Sequence, residues 1–451
     1  MNPVFNRVLG IFTAAALLAT AFPLSTTASS GISSVETDEI DMSYSLLTSE
    51  FYKKVNQQTA IDGARLEMVA LLKHDGVAEP KVDDIRVGSD PASNAKLLER
   101  EVGALATTYG AKVTGGSRTL TYAAIAGMLS SVKDKYTTFL TPAEYAQLNE
   151  GLDGGNFSGV GISIQVDDKT KLLEVNEVIP DGPADKAGLQ AGDVITQIDD
   201  KSTKGLATGQ DAKLLRGDKG SIVKLTIERA GTQIPVVAVT RDTIHQPSVY
   251  SKLLDNGIGY ARLTVFGKNT ADELTAALTK LQTQGAKAYV LDLRDNGGGY
   301  LEAAVQVSSK FIPSGPIVSV ESRGGSDTQY DAENTAVAPK PLAVLVNKYT
   351  ASASEITSGA IQDDGVGELI GEKTYGKGVV QTIDPLPDGS AVKITTARYL
   401  TPRGRDINLI GIQPDIVSVE PTTARIGDPA SDPQLQSAIT YLTGKIASAG
   451  T

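Results

Sequence analysis

The spacing of apolar residues changes twice along the chain, dividing it into three textures. In 44-YSLLTSEFYKKV-55, 64-ARLEMVALLKH-74 and 119-TLTYAAIAGMLSSV-132 apolar positions recur every three to four residues, which predicts helices within about 38–110 and again over 119–132. A further helix is predicted over 141-TPAEYAQL-148, where Thr141, Pro142 and Glu144 give a capping-box start. The glycine-rich 151-GLDGGNFSG-159 then marks a boundary. From 157 to about 241 the texture becomes short strands, 160–166, 172–179, 193–199, 222–229 and 234–240, interrupted by short helices at 183–189 and about 210–217. After 242 strands and helices alternate: strand 257–266, helix 270–285, strand 287–293, helix 301–311, strand 342–346, helix 354–363, then strand, glycine turn and strand over 369–389. That order predicts a largely parallel sheet, whose sites form beyond the carboxyl ends of its strands.

Two turns fall at such ends, 295-DNGGG-299 and the hydroxyl-rich 347-NKYTASASEIT-357. Serines there have a plain use as helix caps, with the helix starting at Ser354. They also suit a nucleophile on a strand-to-helix turn with backbone N–H groups beside it. A lysine sits between two glycines in 376-GKG-378, with Gln381 four residues on. The stretch 371-GEKTYGK-377 begins like a phosphate-binding loop, but Gly378 stands where a Ser or Thr must hold magnesium, and 379-VV-380 is strand-like where a helix is needed. A Ser/Lys dyad is the better use: burial disfavours the ammonium and leaves a neutral base. Gln381 would orient that amine without the charge that would raise its pKa, and 297-GGG-299 offers backbone donors for an oxyanion.

Composition narrows the chemistry. With 42 basic against 53 acidic residues the net charge is -11, which argues against nucleic acid as a partner. The absence of Cys removes disulfides, thiolate nucleophiles and Cys-ligated zinc together, and no cofactor or metal is expected. The two histidines, His74 and His245, lie far along the chain from the serines, which favours a base other than His without excluding His245. At the N-terminus Arg7, the apolar 8-VLGIFTAAALLATAF-22 and the small residues 25-STTASS-30 read as a secretory signal cut near Ala28, or as an uncleaved anchor. The expected location is therefore extracytoplasmic.

The strand-rich middle resembles a PDZ domain on three segments: 158-SGVGI-162, 179-IPDGPADKAGLQAGDVITQID-199 and 213-KLLRGDKGSIVKLTI-227. The first is a glycine-loosened loop opening a strand, so successive N–H groups can turn towards a carboxylate while the strand edge takes up an extended peptide. Gly159, Val160, Gly161 and Ile162 are the candidate contacts there, with Arg216 nearby.

With that module, 290-VLDLRDNGGG-299, 352-SASEI-356, 361-IQD-363, 371-GEKTYGKGVVQ-381 and 411-GIQPDI-416 in order, the chain resembles the carboxyl-terminal processing (tail-specific) proteases of the S41 serine peptidase family over about 119–420. The resemblance implies Ser352 as nucleophile, Lys377 as general base and Gln381 as its orienting residue; Lys377 follows Ser352 by twenty-five positions, as in the family. It implies an oxyanion hole from Gly298 and Ala353, and an acidic residue at Asp363. It also implies an α/β core of crotonase-like or ClpP-like fold within an α+β multidomain chain. The expected division is a signal or anchor at 1–30, a helical region 31–118, a peptidase core 119–156 and 242–420, an inserted PDZ domain 157–241 and a tail 421–451. Thr350, 134-DKYT-137, Gly297 and Asp218 depart from the family's usual Ser, Asp-Pro-Tyr-Ser, Pro and Pro. Expected partners are protein or peptide substrates with free C-termini, with a homodimer and an activating protein as further candidates; the helical region and the tail 430–442 serve either such pairing or packing within the chain. The competing classes are a silent PDZ adaptor and a relative that binds small apolar ligands.

Overall fold

The computed structural model describes residues 31–152, 157–167, 170–179, 181–206, 210–244, 247–325, 327–337, 339–419, 421 and 425–449. The expected leader over 1–30 and His245 lie outside the described residues.

At the centre is a six-stranded sheet in the order Val249–Leu254, Ile258–Leu263, Ala288–Asp292, Leu342–Val346, Glu368–Gly371, Ile416–Val417. Only the first pair is antiparallel. Strands Ala288–Asp292 and Leu342–Val346 are buried at every position, because helices cover both faces, and they read accordingly as unbroken apolar runs. One face packs on helices Thr270–Thr283, Leu301–Ser308 and Ala353–Asp364. The other is covered by helix Pro433–Ala449 through Leu435, Ala438 and Leu442, so the tail is a layer of this domain and its apolar stripe is used within the chain.

A second sheet runs Thr138–Leu140, Ala391–Leu400, Pro316–Ser322, Thr328–Asp331, with Val379–Pro385 also paired to the long strand Ala391–Leu400. The hairpin made by those two strands carries Leu386, Val392 and Ile394 into the core of the N-terminal helices. Those helices are Ser34–Glu50, Gln57–His74, Pro91–Tyr109 and Gly116–Ser130. The helix expected to continue to residue 55 stops at Glu50: buried Phe51 leaves the helix at ψ 132°, and Asn56 caps the next helix by accepting from Thr59 N–H. Helix Gly116–Ser130, expected with the peptidase core, buries Leu120, Ala124, Ile125 and Met128 among the N-terminal helices instead. It crosses Gln57–His74 closely: a Cβ at Gly63 would lie 2.5 Å from Gly127 O, so neither position admits a side chain.

The middle module has its own core, including Val160, Val175, Ile195, Leu225 and Val239, under a seven-stranded antiparallel sheet. Its entry and exit strands, Phe157–Gly159 and Asp242–Ile244, pair with each other and form the neck of the insertion.

Candidate active site

Three neighbouring parallel strands, ending at Asp292, Val346 and Gly371, deliver three turns to one edge of the sheet. They carry Gly298, Ser352 and Lys377 respectively. The first two turns are knitted together: Asn296 O accepts from Ala351 N (3.0 Å) and Ser354 Oγ (3.0 Å), and Thr350 Oγ1 donates to Leu293 O (2.9 Å). Gly298, at φ 99°, presses on the serine turn so closely that a Cβ there would lie 2.8 Å from Ser352 Cβ.

Ser352 sits at the junction of strand and helix with φ 59° and ψ -119°, a conformation that costs about 1–3 kcal/mol in a non-glycine residue. The strain has a visible use. It turns the backbone sharply into helix Ala353–Asp364, at whose start Ser352 and Glu355 form a capping box. The helix therefore begins one residue earlier than the capping pattern predicted, and Ser354 is no cap: fully buried in the first turn, it spends its hydroxyl on Asn296 O.

Glu355, the other half of that capping box, reaches further. Its Oε2 accepts from Ser352 N (2.9 Å) and Lys377 N (2.8 Å), while Oε1 accepts from Gly376 N (2.7 Å) and Thr374 Oγ1 (2.6 Å). One buried carboxylate thus fixes the backbones of both reactive candidates. Burial raises the Glu355 pKa and these four donors pull it back. Tyr399 makes a second staple, its hydroxyl 2.6 Å from Lys377 O and 3.2 Å from Ser352 O. Neither residue was singled out as functional from the sequence. For Glu355 the signal was present, as the Ser-x-x-Glu spacing of 352-SASE-355; for Tyr399, in a long alternating strand, there was none.

The Lys377 amine has its pKa lowered to about 8, first by burial and then by the Lys393 ammonium, against the opposing pull of Glu355 and Asp134. Gln381 lies on the strand that follows, at a bulge in its pairing with Ala391–Leu400. Its amide Nε2 is 3.4 Å from Thr395 Oγ1, which in turn donates to Asp134 Oδ1 (2.6 Å), so its contact here is with that chain rather than with the amine. Of the two expected oxyanion donors, Ala353 N–H stands at the first helical position, where no intrahelical acceptor exists. The Gly298 N–H is engaged by Asn296 Oδ1 at 2.9 Å. Asp363, near the far end of the serine helix, pairs with Arg405 and accepts from Arg403 N, which fastens a loop. The turn at 293–299 is anchored from behind: fully buried Arg294 bonds Asp292 and also Asp432 (2.7 Å) of the tail. His74 ends a helix, exposed, against Asp75.

In the middle module, Gly159 lies in the neck pairing, Val160 is buried, Gly161 has φ 78° and Ile162 opens strand Ile162–Val166. That strand is the terminal one of its sheet, pairing only with Leu173–Val178 among the described residues, and so presents an edge. Arg216 forms an ion pair with Glu150 (2.7 Å) in helix Pro142–Leu152, outside the module.

Residues 257–418 match the model of peptidase family S41, and 174–229 match that of a PDZ domain. A carboxyl-terminal-processing protease of Picosynechococcus is 42% identical over 327 residues, covering 71% of this chain and 79% of that protein. A carboxy-terminal processing protease of Bacillus subtilis is 39% identical over 322 residues, 71% of this chain and 67% of that protein. A solved structure of a candidate S41 protease from Bacteroides fragilis superposes with TM-score 0.52 at 17% identity, covering 89% of this chain and 97% of that one, a likeness that bears on the fold.

Proposed function

Since the chain belongs to the S41 family of carboxyl-terminal-processing serine proteases and carries a PDZ domain, we propose that it is an exported endopeptidase that engages protein tails through that domain and cuts them with Ser352 and Lys377. The observation that carries this reading is the shared carboxylate: Glu355 binds the N–H of Ser352 and of Lys377 through one oxygen, joining a strained serine to a lysine of depressed pKa.

The neutral Lys377 amine takes the proton of Ser352 Oγ as that oxygen attacks the scissile carbonyl carbon. The oxyanion so formed lies against the Ala353 N–H, and against Gly298 N–H once that donor turns from Asn296. The Lys377 ammonium then protonates the departing amine, the C–N bond breaks, and an ester on Ser352 remains. Water, deprotonated by the same amine, hydrolyses the ester and returns Ser352 to its starting form. With a pKa of about 8, about a tenth of the amine is neutral at pH 7, so turnover rises with pH through that value. Gln381 orients the amine after giving up its contact with Thr395. The leader-like residues 8–30 support export, and the edge strand Ile162–Val166 beside the Gly159–Gly161 loop supports tail recognition.

A fluorophosphonate tests the assignment. The wild type should carry one label, located on Ser352 by peptide mass spectrometry, and Ser352→Ala should carry none. Label on another residue, or none on folded wild type, sinks the proposal.

A further inference from the structure

The Lys377 amine is covered by a residue from outside the parallel sheet. Between helix Gly116–Ser130 and strand Thr138–Leu140 the chain crosses the site, and the ring centre of Tyr136 lies 4.8 Å from Lys377 Nζ.

The crossing segment is firmly held. Asp134 Oδ1 accepts from the N–H of Tyr136 (3.1 Å) and Thr137 (2.8 Å), from Thr137 Oγ1 (2.9 Å) and from Thr395 Oγ1 (2.6 Å). Thr395 N closes the link by donating to Thr137 Oγ1 at 3.1 Å. The far end of the ring is held too: its hydroxyl meets that of Tyr375, two residues before Lys377. Lys135 bonds the Tyr375 hydroxyl and lies 5.0 Å and 5.7 Å from the centres of the Tyr375 and Tyr136 rings.

The charged and titratable groups facing the amine are Lys393 on strand Ala391–Leu400, Glu355 on the serine helix, and Asp134 on the crossing segment, with Tyr136, Tyr375 and Lys135 above. A ring face attracts a cation, which favours the ammonium, but the same ring keeps water from the amine, which disfavours it more strongly in a partly closed site.

Resting on the Ser352/Lys377 reading, we propose that Tyr136 is a positioning residue for the base: its ring, pinned by Asp134 and Tyr375, covers the Lys377 amine and keeps it dry. It touches neither substrate nor the reacting serine in this role, and acts through Lys377 alone.

The rate of fluorophosphonate labelling of Ser352 in the full-length protein, measured against pH, reads the base directly. Tyr136→Ala moves the half-point of that curve up by about one pH unit, so that labelling at pH 7 slows about tenfold while the curves converge at high pH. Tyr136→Phe, which keeps the ring but loses its bond to Tyr375, shifts the half-point no further than Tyr375→Ala does and stays well short of the Ala variant. Tyr375→Ala, at an exposed position, gives a smaller upward shift and decides the matter if Tyr136→Ala does not fold. An unchanged or lowered half-point in a folded Tyr136→Ala protein, or a Phe variant that behaves like Ala, overturns the proposal. So does Tyr375→Ala without a shift, should it be the variant that decides. Failure of the dyad reading is a separate result: the wild type then shows no labelling that depends on Lys377.

Discussion

In the peptidase sheet Ser352 and Lys377 are tied to each other by two buried side chains, Glu355 and Tyr399, whereas in the PDZ module Gly161 and Ile162 stand on a loop and an edge strand. The module joins the rest of the chain through a short two-stranded neck and the surface pair Arg216–Glu150. Chemistry at a strained serine needs its base fixed to within a fraction of an ångström, and buried hydrogen bonds supply that. The proposed tail recognition needs an unpaired strand edge. The two regions therefore differ in what a single substitution should do.

The largest effect is expected where the site is most tightly held. Glu355→Ala leaves three backbone N–H groups and the Thr374 hydroxyl without their acceptor, costing about 3–5 kcal/mol of stability and at least about a hundredfold in turnover. Glu355→Gln should fare little better, because its NH2 would face N–H donors. Equal activity of Glu355→Gln and wild type would show that the clamp is dispensable. Denaturant unfolding and peptide hydrolysis measure both quantities.

An intermediate effect is expected at the tail-binding edge. Amidating the C-terminus of a good peptide should weaken its binding to the full-length protein carrying Ser352→Ala by about tenfold, since a hydrogen bond to a charged group contributes about 1.5–3 kcal/mol. Calorimetric titration checks this. Equal binding of acid and amide would mean that the edge reads side chains only.

The smallest effect belongs to the surface pair. Arg216→Ala should change stability by less than about 1 kcal/mol, because both partners are partly exposed. A loss of several kcal/mol would make the module as firmly docked as the site and would erase the contrast.

The parts legible in the sequence follow the same contrast. The order of strands and helices after residue 242 was readable because fully buried parallel strands are continuous apolar runs, such as 342-LAVLV-346. Ser352, Lys377 and Gly298 could be placed at strand ends because glycine and hydroxyl turns punctuate those runs. What escaped was whatever depends on contacts between distant segments. Tyr136 and Tyr399 look like ordinary strand-associated aromatics until the fold brings them to Lys377. The ion pair that Arg216, placed beside the carboxylate loop by its neighbours in sequence, makes with Glu150 of another helix was likewise not readable from the sequence. The helix starts at Ala353 rather than Ser354 because, of the serines in 352-SASE-355, it is Ser352 that stands three residues before Glu355 and serves as the cap.

The central claim is that a neutral Lys377 is the base for Ser352, and the pH dependence of kcat/KM on a peptide substrate tests it most directly. The account predicts a rising limb centred near pH 8, set by burial of the amine, and no activity in Lys377→Arg, whose guanidinium stays charged. A limb near about 6.5, the ordinary range of histidine, or an active Lys377→Arg enzyme, would contradict it.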